Sequence, residues 1–293
     1  MLALNNLKKW ASNIGFDDCG AAIAVRLDED ALFLQQWINS GHHGSMLYMQ
    51  ENFEKRVNPQ VLVPGAKTVV VGLLNYYVAD KQPVGAPYIA QSGMAKEDYH
   101  VVMKGMLSRL EEQIVKEGGD DVVSHQHQHL FCDSAPILER RWAQRAGLGW
   151  IGKNRQFIHP RFGSFVHIGI LILNEELDHY STAFENDGCN NCDICRKSCP
   201  TGALRGNLFD ARKCISYLTI ERKEELENKY KKVVADNLYG CDICAKVCPY
   251  NQNLQPTSHP QLQANPKLTQ MTASDWRNTS RRQRLKLLHR LAK

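Results

Sequence analysis

Ten cysteines occur in this chain of 293 residues, and eight of them fall between Cys189 and Cys248. They form two related runs. The first is Cys189-x2-Cys192-x2-Cys195-x3-Cys199, followed by Pro200; the second is Cys241-x2-Cys244-x3-Cys248, followed by Pro249. The second run is one thiol short of repeating the first. Cys214, in Asp210-Ala-Arg-Lys-Cys214-Ile-Ser-Tyr217, supplies the missing one. A chain with eight thiols at these spacings must fold so that they gather into two four-sulfur sites.

The x2-x2-x3-Pro spacing is that of bacterial two-cluster ferredoxins, in which three thiolates hold one iron–sulfur cluster and the fourth reaches across to the other. Two-residue gaps wrap consecutive thiolates around one corner of a cubane, with backbone N–H groups aimed at sulfur. A proline after the last cysteine turns the chain away and leaves no N–H unpaired. Crossing the runs over predicts one 4Fe-4S cluster on Cys189, Cys192, Cys195 and Cys248. The other falls on Cys199, Cys214, Cys241 and Cys244. Two zinc sites or a disulfide lattice are the competing readings, but zinc ribbons favour paired two-residue gaps without this run.

The length allows two domains and a substantial core. Many thiols without a signal peptide point to the reducing cytoplasm, and no stretch approaches the roughly twenty apolar residues of a membrane span. The net charge of +5 says less than its placement, because the last turns are strongly basic.

Residues 1 to 60 read as mostly helical. Leu32, Phe33, Gln36 and Trp37 sit at helical spacing behind the acidic turn of Asp28, Glu29 and Asp30. Thr68 to Leu74 reads as a buried strand and Val78 to Lys96 as a long loop. Asp98 to Glu117 returns to helical period, with Val102, Met106, Leu110 and Ile114 on one side and Gly118-Gly119 as the stop. A strand is expected through Val122-Val123 toward Phe131-Cys132, a helix from Ala135-Pro136 to Gly147, and a strand from Phe165 to Leu173. Helices alternating with strands predict an α/β (α+β) layer domain. The cluster domain follows, and Pro256, Pro260 and Pro266 punctuate a linker. The tail from Trp276 to Lys293 reads as one amphipathic basic helix with Leu285, Leu288 and Leu291 on its apolar side.

An iron–sulfur pair is a wire, and the first domain should therefore hold an organic redox cofactor or a docking face. Gly147-x-Gly149-x-x-Gly152 matches a dinucleotide fingerprint in letters only, since a helix precedes it where a strand is required. Asp133 lies where a strand meets a helix. It is either an N-cap for that helix or a carboxyl whose burial raises its pKa and makes it a proton donor.

Several further stretches carry a resemblance. They are Gly41-His-His-Gly-Ser-Met-Leu-Tyr48-Met49, Lys55-Arg56-x-Asn58-Pro59, Pro64-Gly65-Ala-Lys67 and Asp98-Tyr99-His100. To these are added Asp133-Ser-Ala-Pro136-Ile-Leu-Glu139-Arg140, Gly147-Leu-Gly-Trp150-Ile-Gly-Lys153-Asn154, Cys214-Ile-Ser-Tyr217-Leu-Thr219-Ile-Glu221 and Tyr239-Gly-Cys241-Asp-Ile-Cys244. With the cysteine pattern, the chain to about residue 255 resembles the epoxyqueuosine reductase family. The resemblance implies a cobalamin-dependent oxidoreductase that reduces epoxyqueuosine to queuosine at the tRNA wobble position, fed by an external low-potential electron donor. It implies a cobalamin- and substrate-binding domain over residues 1–180, related to reductive dehalogenases. A ferredoxin-like module over 181–255 and a linker with basic tail over 256–293 follow. Asp133 takes the role of proton donor. Arg56, Lys153, Asn154, Ser216, Tyr217 and Asp242 fall near corrin or substrate, and Arg140 and Arg141 face the nucleic acid.

Three features stand apart. Asp98-Tyr-His100-x-x-Met103 starts like a cobalt-ligating D-x-H-x-x-G motif but lacks the glycine, so His100 is expected to be structural or near the corrin side chains. His125, His127 and His129 alternate as on one strand face, read as solvated in preference to metal-binding. Cys19 and Cys132 are expected to be buried free thiols. Many family members continue into HEAT-type helical repeats, and the basic tail is the departure here. Arg277, Arg281, Arg282, Arg284, Lys286 and Arg290 either contact phosphates or form a solvated face. A monomer is expected. The competing functions are an electron-transfer protein without substrate and a corrinoid enzyme of the dehalogenase kind.

Overall fold

The computed structural model describes residues 2–118, 129–185, 187–205 and 208–288. Its centre is a four-stranded antiparallel sheet in the order β1-β2-β7-β4. These strands are β1 (Asp18–Ile23), β2 (Thr68–Asn75), β4 (Leu130–Phe131) and β7 (Val166–Leu173). Thr68 pairs with Leu173 and Asn75 with Val166, so the two long strands match over their whole length.

Every residue of β2 and β7 is buried. The reason is that helices cover both faces, so alternate side chains enter two different cores. Val70, Leu74 and Leu171 pack under the Leu4–Ile14 and Tyr99–Gly118 helices with Leu7, Ala11, Met103, Leu107 and Leu110. Val69, Val71, Ile170 and Ile172 face the Glu139–Arg145 helix through Trp142 and Ala143. The long helix lies close on β7 because Gly169 has no side chain. A Cβ there would stand 2.4 Å from the Met103 sulfur.

The first sixty residues are not all helix, since β1 forms the sheet edge. The Asp28–Asn39 helix buries Ala31, Leu34, Trp37 and Ile38, while Leu32 and Phe33 are exposed. The apolar face is thus turned by about one position from that expected. It packs against Ala211, Tyr217, Leu218 and Tyr230 of the cysteine-bearing segment, and the Trp37 indole N–H donates to the Phe209 carbonyl at 2.6 Å.

The segment expected as a loop over residues 78–96 contains β3 (Tyr88–Ile89), which pairs in parallel with β8 (Asn237–Tyr239) beyond Cys214. Further along, Ala95 bridges to Ala264. The remaining pair, β5 (Trp150–Ile151) and β6 (Phe157–Ile158), makes a hairpin out of the glycine-rich turn. Packing therefore runs across all three sequence segments.

The tail is two helices where one was expected, Ala273–Asn278 and Arg281–Leu287. Thr272 with Asp275 and Ser280 with Gln283 each form a reciprocal capping box, and the second box starts a new helix where the first stops. Leu288 is buried beside Trp276 and Leu268. Leu291, Arg290, Val122-Val123, His125 and His127 lie outside the described residues. Among the described residues no helix is long and apolar enough to cross a membrane.

Candidate active site and iron–sulfur module

Asp133 follows β4 in a left-handed conformation, φ 51°, uncommon for a residue with a Cβ. Its side chain is 65% exposed, so the burial expected of it is absent. The N-cap reading also fails: the next helix begins at Glu139, behind Leu138, with no side-chain cap. Pro136 sits ahead of the helix and not in its first turn.

Two groups hold this aspartate. The Tyr99 hydroxyl donates to Asp133 Oδ2 at 2.9 Å, and the Asp133 backbone N–H donates to Glu139 Oε1 at 2.6 Å. Burial, then the neighbouring Asp133 charge, pushes the Glu139 carboxyl up to about 8. His100 pairs through Nδ1 with Asp98 Oδ1 at 2.6 Å and brings Nε2 to 4.0 Å from Asp133 Oδ2.

Behind Asp133 runs a stack of rings. Tyr99 lies on His167 at 3.9 Å and 2° and against His100 at 4.0 Å. His167 lies on Tyr76 at 4.2 Å. Burial holds His167 down at about 3, so it is neutral, and the Tyr99 and Tyr76 hydroxyls are raised well above the ordinary phenol range by the same cause. Tyr76 feels the charges of Asp242 and Arg140. Asp242 adjoins Cys241, accepts from the Tyr88 hydroxyl at 2.6 Å and the Gln91 N–H at 2.7 Å, and is itself raised by burial. The stack thus runs from the Tyr99 that holds Asp133 to Tyr76, on which the Asp242 charge acts.

Cysteines of the two runs lie close enough to act on one another's ionisation. Cys195 and Cys248 each feel Cys189 and Cys192. Cys241 feels Cys214 and Cys199, and Cys244 feels Cys214 and Cys241 most and Cys195 of the first run after them. Burial first, and these neighbours next, push the Cys241 thiol up to about 11. Thiols so crowded ionise together only around a cationic centre. Backbone N–H groups are already turned to sulfur: Lys153 to Cys189 at 3.5 Å, Thr201, Ala203 and Leu204 to Cys199, and Ser216 and Tyr217 to Cys214. That donor set fits an iron–sulfur cluster.

The remaining expected residues divide. Arg56 is buried, donates to the Tyr48 carbonyl at 3.0 Å and leaves Nε without a partner; Asn154 leaves Nδ2 so. Lys153 Nζ is engaged by the carbonyls of Asn190 and Cys192 at 2.5 and 3.0 Å. The Tyr217 hydroxyl accepts the Ser45 N–H at 2.7 Å and stands against Gly44. Arg141 is turned to Asp30, both oxygens at 2.7 Å from Nε, and Arg284 donates to the Trp276 carbonyl. Arg281 and Arg282 are exposed. Cys19 and Cys132 are buried and free. His129 is not on a solvated face: it is fully buried and pairs with Glu111 Oε1 at 2.5 Å.

The sequence reading passed over His167, any role for Glu139, and the arginines Arg155 and Arg196 that accompany the expected Arg140. Arg140 bonds to the Arg155 carbonyl; Arg155 lies 5.4 Å from the Phe33 ring and feels the like charge of Arg196. A histidine inside the apolar run Val166-His167-Ile168, and a glutamate in the Asp133 motif, were the signals available.

These features define a mixed α/β oxidoreductase with a double iron–sulfur module. Residues 188–251 match the family model of a 4Fe-4S double cluster binding domain, and residues 56–134 match that of epoxyqueuosine reductase QueG. The epoxyqueuosine reductase of Leadbetterella byssophila is 43% identical over 226 residues, covering 77% of this chain and 72% of that protein. The one from Cellulophaga algicola is 38% identical over 273 residues, covering 92% and 86%. A crystal structure of epoxyqueuosine reductase with an epoxyqueuosine-modified tRNA-Tyr stem loop superposes with TM-score 0.82 at 27% identity, over 98% of this chain and 76% of that one. The Bacillus subtilis enzyme, solved with an aspartate-bearing catalytic loop swung out of the active site, gives TM-score 0.84 at 26% identity, over 98% and 76%. The chain belongs to the epoxyqueuosine reductase family, oxidoreductases of tRNA modification, and that sets aside the electron carrier without a substrate.

Proposed function

We propose that this protein reduces epoxyqueuosine to queuosine in tRNA, with Asp133 as proton donor and with cobalamin between the clusters and the substrate. Residues 1–180 bind cofactor and substrate, 181–255 carry the clusters, and 256–293 form the linker and basic tail. The observation that carries the reading is the ring stack Tyr76–His167–Tyr99, which backs Asp133 through the Tyr99 hydroxyl and ends on Tyr76, a phenol that feels the charge of Asp242 beside Cys241.

Cys189, Cys192, Cys195 and Cys248 hold one cluster, and Cys199, Cys214, Cys241 and Cys244 the other. The buried, unpartnered donors Arg56 Nε and Asn154 Nδ2 suit the amide-fringed corrin, as does the unpartnered His100 Nε2, an acceptor while Nδ1–H is given to Asp98, and Asp242, Ser216 and Tyr217 are assigned to the same cofactor. When bound, cobalamin supplies the low-potential electrons to the substrate carbon. The protein's own part is the proton: Asp133, reached from solvent and held by Tyr99, gives its proton to the departing epoxide oxygen. Tyr99 and neutral His167 hold the acid in place and keep water from its far side.

The stem loop crystallised with a relative of this chain supports a tRNA partner. Here Arg140, Arg155 and Arg196 with exposed Phe33 offer phosphate contacts and a stacking surface, and Arg281 and Arg282 extend the basic area. An external low-potential donor closes the circuit.

The test is to reduce the protein anaerobically with and without cobalamin, add epoxyqueuosine-containing stem loop, and analyse the nucleosides. Queuosine should form only with the cofactor, and Asp133→Asn should keep both clusters while losing at least about a hundredfold in rate. Turnover without corrinoid, or normal turnover by the variant, would remove the corresponding part of the reading.

A further inference from the structure

We infer that Lys153 is a positioning residue of the first iron–sulfur cluster: from the tip of the β5–β6 hairpin it fixes the Cys189–Cys192 loop, so that the first domain completes that cluster's site. Such a role deepens the proposed function and rests on Cys189, Cys192, Cys195 and Cys248 holding one cluster. The family resemblance puts Lys153 near corrin or substrate, but its contacts point to the cysteines. Its Nζ donates to the carbonyls of Asn190 and Cys192 at 2.5 and 3.0 Å, and its backbone N–H donates to Cys189 Sγ at 3.5 Å. Main chain and side chain of one residue thus hold both ends of the segment between two ligands.

Turn geometry and packing bring the hairpin to this loop. Gly152 N–H donates to the Gln156 carbonyl at 2.9 Å and Arg155 N–H to the Gly152 carbonyl at 2.8 Å, while Asn154 Oδ1 takes the Gln156 N–H at 3.1 Å. The tip is therefore a tight, internally bonded turn. It lies against the ligand, since a Cβ added at Gly152 would stand 3.4 Å from Cys189 Sγ. Below the tip, Trp150 and Ile158 share one apolar cluster with Cys248, and Cys189 and Phe184 pack at its margin. Trp150 stands edge-on to Tyr250 at 4.7 Å, and the Tyr250 hydroxyl donates to the Gly188 carbonyl at 2.9 Å. Two ligands of the first set rest on the hairpin.

The loop's own bonds explain why a lysine stands there. Asn190 is left-handed at φ 44°. Asp187 takes the Cys189 N–H on Oδ1 at 2.9 Å and the Asn190 N–H on its carbonyl at 3.2 Å, and the Cys192 N–H goes to the Cys189 carbonyl at 2.8 Å. The carbonyls of Asn190 and Cys192 then converge on one group with several protons to give, which is what an ammonium offers. A positive charge held beside the set also favours its reduced form, because each added electron makes the cluster more negative.

The full-length, cluster-loaded protein is compared with Lys153→Met and Lys153→Arg by three anaerobic readouts. These are iron release to a chelator, potentiometric titration followed by electron paramagnetic resonance, and cobalamin binding followed by visible absorption. In Lys153→Met about half the iron should leave about tenfold faster or be missing at the outset, and the other half should leave at the native rate. One reduction wave should move to lower potential by about tenfold in the reduced-to-oxidised ratio, about 59 mV for one electron, or vanish where that half of the iron is missing. The other wave should stay. Lys153→Arg keeps the charge and the donors and should restore the native rate and potential, and cobalamin binding should be the same in all three proteins. A Lys153→Met titration identical to native, loss of all the iron, failure of Lys153→Arg to restore the wave, or weakened cobalamin binding overturns the role. Failure of the underlying cluster assignment is read separately, from the iron content of Cys214→Ser, and involves no change at Lys153.

Discussion

Tyr99 donates its hydroxyl to Asp133 Oδ2 at 2.9 Å while its ring lies flat on His167 at 3.9 Å. The bond depends on the stack: with the ring clamped between His167 and His100, the hydroxyl points at the acid without searching rotamers. Tyr99→Phe should therefore keep the stack and lose the bond. Turnover of the epoxyqueuosine stem loop should drop about tenfold, with iron content and cluster spectrum unchanged.

The Glu139 carboxyl also writes itself into stability. Its folded value, about 8, lies above the ordinary 4.5, so its contribution is fully present below about pH 4.5 and is lost as pH rises through about 8. Native Tm should fall across that window, and Glu139→Gln should flatten the fall, gaining on the order of 4 kcal/mol at pH 8. Thermal melts from pH 5 to 9 read this directly, and parallel curves for the two proteins would refute it.

Asn251 fastens the end of the cluster module to the sheet domain. Its Oδ1 accepts the Ser164 N–H at 2.7 Å, and its Nδ2 donates to the Ala245 carbonyl at 2.8 Å. Gly163, at φ 57°, lies so close that an added Cβ would stand 1.9 Å from Asn251 Oδ1. Gly163→Ala should cost about 2–4 kcal/mol through clash and a strained backbone. Chemical denaturation would show it as a lower midpoint.

Replacing Cys214 by serine should remove about half the iron, because one four-sulfur set loses a ligand and the other is untouched. Iron analysis after anaerobic reconstitution distinguishes this from loss of all the iron, which would mean that the sets are not separate.

Arg155→Ala should weaken stem-loop binding and reduce the slope of log affinity against log salt by about one. Arg141→Ala should leave that slope alone, since its guanidinium is committed to Asp30. Fluorescence anisotropy at several salt concentrations separates the two outcomes.

How much of this was legible beforehand depends on the range of the interaction that decides each feature. Local pattern sufficed for the buried strands at Thr68–Asn75 and Val166–Leu173 and for the long helix at Tyr99–Gly118. The edge strand at Asp18–Ile23 escaped because its only signal is pairing with β2, fifty residues away. The tail's break at Ser280 was local but subtle, one capping box outweighing continuous helical spacing.

At the site the division is sharper. Cysteine spacing alone announced two four-sulfur sets, because ligand geometry around a cluster dictates short fixed gaps along the chain. It did not say that Asp133 would be exposed, that Glu139 would be the carboxyl whose proton affinity burial raises, or that His167 would lie between two tyrosines. Those facts belong to the sheet and the packed helices, which bring residues 76, 99, 133, 139 and 167 to one place. Burial and neighbouring charge set a proton's affinity, and both are properties of the folded surroundings and not of the residue's neighbours in the chain.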